Sequence, residues 1–262
     1  MRVQVLSSGS KGNATLIRSG DLRVLADAGL PVTALDERLE AARLPYDGCD
    51  AVVVTHGHLD HSRSAGIVAR RWRVPVHAAE AIQRHAAVRR GKRFRPLSPA
   101  NPTELVARRG VGWLRLSVAR LPHDADPTYG LRFEDHDHRV AVVLTDCGKP
   151  DPAAAEKLRG AHVLVLEFNY DPKMLAAGPY PDSLQRRIRG GRGHLSNEQS
   201  AEMLKLLAGP ELHTLVLAHL SEKNNTPELA RAAAESALVS IGRSDVRVWI
   251  APQDAVLDPI EV

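Results

Sequence analysis

The chain has 262 residues, of which 44% are hydrophobic, and 35 Lys and Arg against 31 Asp and Glu give a formal net charge of +4. This length allows one large domain or two small ones, and the mild positive charge permits a polyanionic substrate without demanding one. Two cysteines are too few for a disulfide framework, and no run approaches the ~18 apolar residues that span a bilayer, so we expect a cytoplasmic protein and no membrane contact.

The first fifty residues alternate apolar segments with small polar turns. The patterns predict three strands and then a helix, over 2–6, 14–17, 22–26 and 32–43. The glycine-rich stretch 7–13 lacks the Walker spacing, so it is either a plain turn or a loop whose backbone N–H groups or Asn13 line a phosphate site. Asp27, at the end of the third strand, is either a turn residue or an outer support for a metal-bearing loop.

The next strand, 51–54, leads directly into a cluster of metal-binding residue types. The cluster is Thr55-His56-Gly57-His58-Leu59-Asp60-His61. His56 and His58 are two apart, so they point the same way in extended backbone, and the last two polar residues follow the turn. Imidazole and carboxylate suit zinc, manganese or iron, so we favour a metal site over a solvated histidine-rich turn.

Beyond this cluster, the patterns predict a helix over 63–71, a strand over 74–77 and a helix over 78–90. A basic stretch follows, made of Arg84, Arg89, Arg90, Lys92, Arg93 and Arg95. It is either a solvated charged face or a wall that meets phosphates. Phe94 within it could stack on a base.

Several polar residues of the second half follow predicted strands. Residues 111–145 indicate consecutive strands, with a turn at 135–138 whose two histidines we interpret as turn residues rather than a second metal site. The strand ends at 144, 166 and 218 are followed by Asp146, Glu167 and His219.

The helices and the last strand of the second half have clear local signals. Asp151 to Leu158 indicates a helix, and a last strand is predicted over 246–251. Ser196 with Gln199 predicts a capping box and a helix to about residue 207, and Thr226-Pro227 predicts another helix start.

The His-x-His-x-Asp-His stretch is the hallmark of the metallo-β-lactamase superfamily, which this chain resembles. The resemblance implies an α/β (α+β) fold of the αββα four-layer sandwich type, formed as a single domain over residues 1–262. It also implies two divalent metal ions, with zinc expected and manganese or iron as alternatives. The implied ligands are His56, His58 and His123 for one metal, Asp60, His61 and His219 for the other, and Asp146 as the bridge.

A narrower resemblance, to the YycJ/WalJ branch, rests on several further motifs. They are Ser-Gly-Ser-x-Gly-Asn, Ser/Pro-His-Asp-Ala, Glu-x-Asn-x-Asp, Gly-His-Leu-Ser-Asn and Leu-Ala-His-Leu-Ser-x-x-Asn-Asn. This branch is similar to nucleases such as RNase Z. Cys147 replaces a usual Thr, and Tyr170 replaces a common His. The second replacement weakens any role assigned to position 170.

The resemblance implies roles for particular residues. Asp60 would act as general base, and His194, paired with Glu167, as general acid. The residues expected to contact substrate are Asn13, Arg189, Arg192, Ser221 and Asn224, although Arg189 and Arg192 either hold phosphate or belong to a solvated loop. We expect a metal-dependent phosphodiesterase that acts on nucleic acid, and a DNA exonuclease is the leading hypothesis. The alternatives are a small-molecule hydrolase, such as a PhnP-type cyclic phosphodiesterase or a lactonase, and a non-catalytic nucleic-acid-binding protein. The oligomeric state is open.

Overall fold

The computed structural model describes residues 1–45, 47–125 and 127–262, and it contains two mixed β-sheets flanked by helices. The chain divides into two units. Unit 1 consists of Met1–Val118, Phe133–Arg139 and Pro252–Val262, and unit 2 consists of Ala119–Arg132 and Val140–Ala251. A single domain over residues 1–262 stays a prediction.

The strands and helices have these bounds. The strands are β1 (Arg2–Ser7), β2 (Ala14–Ser19), β3 (Leu22–Ala26), β4 (Ala51–Val53), β5 (Val76–Ala79), β6 (Phe94–Leu97), β7 (Thr103–Val106), β8 (Trp113–Leu121), β9 (Thr128–Glu134), β10 (Val140–Leu144), β11 (Val163–Glu167), β12 (Thr214–Ala218), β13 (Arg247–Ile250) and β14 (Ile260–Glu261). The α-helices are α1 (Val32–Ala41), α2 (Leu59–Ser62), α3 (Ala65–Trp72), α4 (Ala86–Arg89), α5 (Pro152–Leu158), α6 (Pro172–Ala177), α7 (Asp182–Arg189), α8 (Asn197–Leu207) and α9 (Pro227–Ser240).

The first sheet, in unit 1, has the strand order β14-β1-β2-β3-β4-β5-β6. Its amino-terminal strands pair antiparallel, whereas β3 to β6 pair in parallel. Leu35 of α1 and Val68 of α3 are fully buried against strand residues such as Leu25 and Val52. The core of this unit therefore lies between the sheet and these two helices.

The second sheet has the strand order β13-β12-β11-β10-β9-β8-β7. Within unit 2, β10 to β13 are parallel and in register, and β10, β11 and β12 are buried along their whole length. Helices α5, α8 and α9 contribute Leu158, Met203 and Ala234 to the core of this unit. Parallel strands place their carboxyl ends at one edge of the sheet, so the polar residues that follow β10, β11 and β12 lie at that edge.

The helix starts with clear capping signals are confirmed. Ser196 accepts from the backbone N–H of Gln199 and the Gln199 side chain accepts in return, so α8 begins with the predicted capping box. Thr226 accepts from the backbone N–H of Leu229, and Pro227 is the first residue of α9. These starts depend on neighbouring residues alone, which is why the sequence locates them well.

The helix predicted over 78–90 is wrong as a single element. β5 continues to Ala79 because it pairs in parallel with β6, with Ala79 opposite Leu97. A 3₁₀ turn (Glu80–Ile82) and the four-residue α4 then replace the long helix. Long-range strand pairing overrides the local helical pattern here.

His77 of β5 gives unit 1 an acid-sensitive position. It is 6% exposed, and its Nδ1 has no hydrogen-bond partner among the described residues. Burial, with a smaller contribution from Arg95, lowers the pKa of its imidazole from 6.5 to about 4. The folded chain therefore stays unprotonated here while the unfolded chain binds a proton, so stability falls as the pH drops from about 6.5 to about 4.

We expect His77→Gln to flatten this acid dependence. Between pH 7 and pH 4.5, the free energy of unfolding of the wild type should fall by about 2–3 kcal/mol more than that of the variant. Urea unfolding at both pH values, with chelator present in every sample, measures the difference. Parallel pH profiles for the two proteins would show that His77 is not the acid-sensitive group.

None of the helices among the described residues is both long enough and apolar enough to cross a membrane.

Candidate active site

The predicted histidine cluster lies on a turn in unit 1. β4 is buried and ends just before it, and His58, with extended backbone (φ −62°, ψ 148°), precedes the short helix α2. The ring of His56 lies 4.8 Å from that of His58 and 4.2 Å from that of His61, centroid to centroid. The Asp60 carboxylate lies 3.6 Å from His61 Nε2. The structure thus brings the four residues together, as predicted.

Asp27 supports this turn from outside. Its carboxylate lies 2.7 Å from His61 Nδ1 and accepts hydrogen bonds from the backbone N–H and the hydroxyl of Thr55 at 2.9 Å. A histidine whose Nδ1–H donates to a carboxylate presents a lone pair at Nε2, which is what a metal ion needs. The outer-support alternative for Asp27 is therefore the one that the contacts favour. Its backbone has φ +60°, an uncommon value for a residue with a side chain.

The glycine-rich stretch 7–13 holds the cluster at its other side. The backbone N–H of Asn13 donates to the Asp60 carbonyl at 2.7 Å, and its side chain lies 3.0 Å from His61 Nε2. Gly29 is required nearby, because a Cβ there would lie 1.6 Å from the Asp60 carbonyl oxygen. Asn13 is 5% exposed, and the two contacts above lie within the protein. Its role in substrate binding stays a prediction.

A second group of predicted residues collects at strand ends in unit 2. Asp146, Glu167 and His219 lie at or just beyond the carboxyl ends of β10, β11 and β12, and His123 follows β8. Asp146 Oδ1 is 3.8 Å from His123 Nε2, 3.9 Å from His219 Nε2 and 3.5 Å from His194 Nδ1. Asp146 (φ +59°) and His219 (φ +55°) both have left-handed backbone, so the chain turns sharply where these side chains are presented.

Glu167 contacts two of these histidines. Its side chain is fully buried, and its Oε1 lies 2.7 Å from His194 Nδ1 and 3.3 Å from His219 Nδ1. Its Oε2 accepts from the backbone N–H of Cys147 at 2.9 Å. One carboxylate therefore orients both rings, which leaves Nε2 of each ring directed elsewhere.

The pKa values of this pair are displaced in opposite directions. Burial raises the pKa of the Glu167 carboxyl, but the neighbouring His194 and His219 outweigh burial and hold that pKa below its usual value. Burial lowers the pKa of the His194 imidazole, but the Glu167 carboxylate outweighs it and the pKa is raised. The pair thus favours a proton on His194.

The donor atoms of both units fit metal ions. In unit 2, Asp146, Glu167, His194 and His219 each offer a ligand atom, and these atoms lie within 4.8 Å of one another. In unit 1, three imidazoles and a carboxylate converge on one turn. Imidazole with carboxylate is the donor chemistry of zinc, manganese and non-haem iron.

The residues predicted to contact substrate have varied surroundings. Arg192 donates from Nε to the His123 carbonyl at 3.0 Å and lines a cavity of about 420 Å³ together with Arg120 and Lys149. Arg189 is exposed. Ser221 is half-buried and accepts from the backbone N–H of Asn224, which is itself 1% exposed. Of these four residues, Arg192 has the surroundings that best suit an anion.

Sequence reasoning left some supporting residues without a role. Asn169 donates from its side chain to the His219 carbonyl at 2.9 Å, and the Gly193 carbonyl accepts from His123 Nδ1 at 2.9 Å. Asp124 pairs with Arg187 at 2.6 Å. The Glu-x-Asn-x-Asp motif was a signal for Asn169, whereas a backbone carbonyl has no sequence signal.

Comparisons with known proteins identify the family of this chain. The family described as "Beta-lactamase superfamily domain" matches residues 22–220. The exodeoxyribonuclease YycJ of Bacillus anthracis is 30% identical over 248 residues, which cover 92% of this chain and 90% of the relative.

Solved structures show the same fold. The short form of human tRNase Z superposes with a TM-score of 0.66 at 16% identity over 100% of both chains. A diphosphatase of the PhnP family superposes with a TM-score of 0.65 at 19% identity, over 100% of this chain and 98% of that one. These likenesses confirm the predicted fold class.

Proposed function

This chain belongs to the β-lactamase superfamily and is a hydrolase, and from that premise we propose that it cleaves phosphodiester bonds in nucleic acid. DNA is the substrate that we put first, with cleavage proceeding from an end of the strand. The similarity to an exodeoxyribonuclease over nine-tenths of the chain supports this choice. A cytoplasmic location is part of the proposal, and the two free, buried cysteines support it.

Two metal ions are part of the proposal, and their ligands follow the superfamily order. We assign His56, His58 and His123 to one ion, Asp60, His61 and His219 to the other, and Asp146 to both. When bound, the ions supply Lewis-acid activation of water and of the phosphodiester. The outer contacts of Asp27 with His61 Nδ1 and of Glu167 with His219 Nδ1 support the assignment, because each orients its ring through the nitrogen that is not the assigned ligand atom.

The remaining chemistry belongs to side chains. Asp60 is assigned as the general base that accepts a proton from the attacking water. The leaving alkoxide needs a proton, and His194 is assigned to donate it from Nε2 while Glu167 holds Nδ1. The Glu167–His194 contact of 2.7 Å is the observation that carries the proposal, because a fixed, carboxylate-paired imidazole suits the expulsion of a poor leaving group.

Substrate contacts are proposed for the basic segments 84–95 and 186–192 and for the polar residues Asn13, Ser221 and Asn224. The cations of residues 84–95 are exposed, and Arg192 lines a cationic cavity beside His123. Exposed arginine and lysine side chains bind a nucleic acid backbone by releasing its counterions. Arg189, Asn13, Ser221 and Asn224 keep the substrate-binding roles predicted for them.

An activity assay tests the proposed function. We expect metal-loaded protein to degrade end-labelled DNA in preference to RNA, to release small products first from a 5′ label, and to lose this activity in chelator. Bis-p-nitrophenyl phosphate should also be turned over, because it contains the same bond type. Rapid turnover of a small cyclic phosphodiester with intact DNA and RNA would replace this function with a small-molecule phosphodiesterase.

A further inference from the structure

Two cavities in unit 1 lie next to each other and are lined mainly by cations. The α3–α4 cavity, of about 580 Å³, is lined by Ile67, Arg70, Arg71, Arg73 and Arg90. The α4–β6 cavity, of about 450 Å³, is lined by Arg84, Arg89, Lys92, Arg93 and Phe94, with Gln83 and Val88. The arginines of α3 belong to a segment that sequence reasoning interpreted as an ordinary helix.

Close packing of α3 on α4 brings these cations together. A Cβ at Gly66 of α3 would lie 2.3 Å from the Ala87 carbonyl oxygen, so only glycine allows the two backbones to approach this closely. The Arg93 guanidinium donates to the Arg73 carbonyl at 2.8 Å, and this bond joins the walls of the two cavities. The two cavities therefore form one continuous basic surface.

Most of these cations form no ion pair with the part of the chain that the structure describes. Among the described residues, Asp36 is the one carboxylate that forms an ion pair with any of the eight cations, through Arg71 at 2.6 Å. Like charges at this density repel one another unless an anion lies between them. A partner that carries several regularly spaced negative charges would relieve this repulsion.

The surface begins beside the histidine turn. A Cβ at Gly57 would lie 2.5 Å from the His85 ring, so His85, just before α4, lies directly against the loop between His56 and His58. Arg84, the residue before it, lines the α4–β6 cavity. A chain that leaves the histidine turn along this side would enter the basic surface at once.

An aromatic ring lies inside the second cavity. Phe94 is half-buried, with part of its side chain packed on the core of unit 1 and part lining the cavity. Aromatic rings among backbone-binding cations are typical of proteins that bind single-stranded nucleic acid, because every base has a face that can stack. Neither a lipid headgroup nor a duplex would use such a ring.

We propose that the two cavities form a track for single-stranded nucleic acid. The track deepens the proposed function and depends on it for the identity of the polymer. Arg70, Arg73 and Arg90 contact successive phosphates, and Phe94 stacks on one base. The strand thus extends from the histidine turn over α4 to α3.

Fluorescence anisotropy with labelled, phosphorothioate-linked single-stranded DNA tests the track in the metal-loaded protein. Arg70→Gln, Arg73→Gln and Arg90→Gln together should raise Kd at least about ten-fold and lower the slope of log Kd against log salt by about 2, from ~0.7 per phosphate contact. The matched control replaces Arg109, Arg115 and Arg247, which are exposed and lie outside both cavities, with Gln. It loses the same charge and should keep the wild-type slope.

A second pair of variants tests stacking. Phe94→Leu should weaken single-strand binding by roughly ten-fold, whereas Phe94→Tyr keeps a ring and should bind as the wild type does. Thermal melting verifies that each variant is folded.

Equal effects of the Arg70/Arg73/Arg90 variant and the control variant on single-strand binding would overturn the track. Tighter binding of duplex DNA or of phosphatidylserine vesicles than of single strands would overturn it as well. Either result leaves the nuclease proposal intact if the protein still degrades DNA. Failure of the wild type to degrade DNA or RNA would instead overturn the proposed function.

Discussion

His58→Ala is expected to lose bound metal and hydrolysis together. The wild type, purified without chelator, should contain about two equivalents of transition metal, as a two-metal site requires. His58 makes no side-chain capping bond to α2, so its removal should cost α2 little. Activity should fall by more than the ~10–100-fold that loss of an outer-shell partner costs, because here an assigned ligand is lost.

Elemental analysis of the variant and of His136→Ala distinguishes ligand loss from general damage. His136, in the turn after β9, is an exposed histidine that stacks on Trp113. The His136→Ala variant should keep both equivalents of metal. If the His58→Ala variant still contained two equivalents of metal, His58 would not be a ligand. Firm occupancy of a single ion in the wild type, even with excess metal, would count against the bridging assignment of Asp146.

His194→Ala should keep both metal ions and lose rate in a way that depends on the leaving group. For substrates that expel an alkoxide, the loss should be ~10²–10⁴-fold, the usual contribution of a general acid. A p-nitrophenolate leaves without needing a proton, so bis-p-nitrophenyl phosphate should be much less affected. Steady-state rates on DNA and on the nitrophenyl ester provide the comparison.

Two outcomes would reassign His194. Its ligand atom lies within the unit 2 donor group, so loss of metal from the variant would make it a ligand. Equal losses of rate on both substrates, with metal retained, would make it a residue that binds substrate rather than one that donates a proton.

How far the sequence predicted the fold differs from element to element. The start of α8 follows from Ser196 and Gln199, three positions apart, and that of α9 from the adjacent Thr226 and Pro227; the structure places both starts where the sequence does. β6, which begins within the basic stretch, was not predicted, because its strand conformation depends on pairing with β5 rather than on its own residues. α7 was not predicted: it buries none of its residues, and apart from Leu184 and Ile188 its eight residues are polar or charged.

For the candidate site too, local features could be predicted from the sequence and long-range contacts could not. The residues from His56 to His61 were found from their spacing alone, since a local turn brings them together. His123, Asp146 and His219 are far apart in the sequence, so only the family resemblance linked them. The support that Glu167 gives to two rings depends on the alignment of β11 with β12, which spacing cannot express.

The left-handed backbone of Asp27, Asp146 and His219 determines how mutational scans of this site should be interpreted. An ordinary side chain in that conformation costs about 1–2 kcal/mol, and aspartate or asparagine tolerates it better than alanine does. Alanine at these positions would therefore combine loss of a functional group with added backbone strain. Asparagine is the cleaner replacement for the two aspartates, and glycine next to alanine would separate the two costs at His219. At His58, where φ is negative, a single alanine variant reports on the side chain alone.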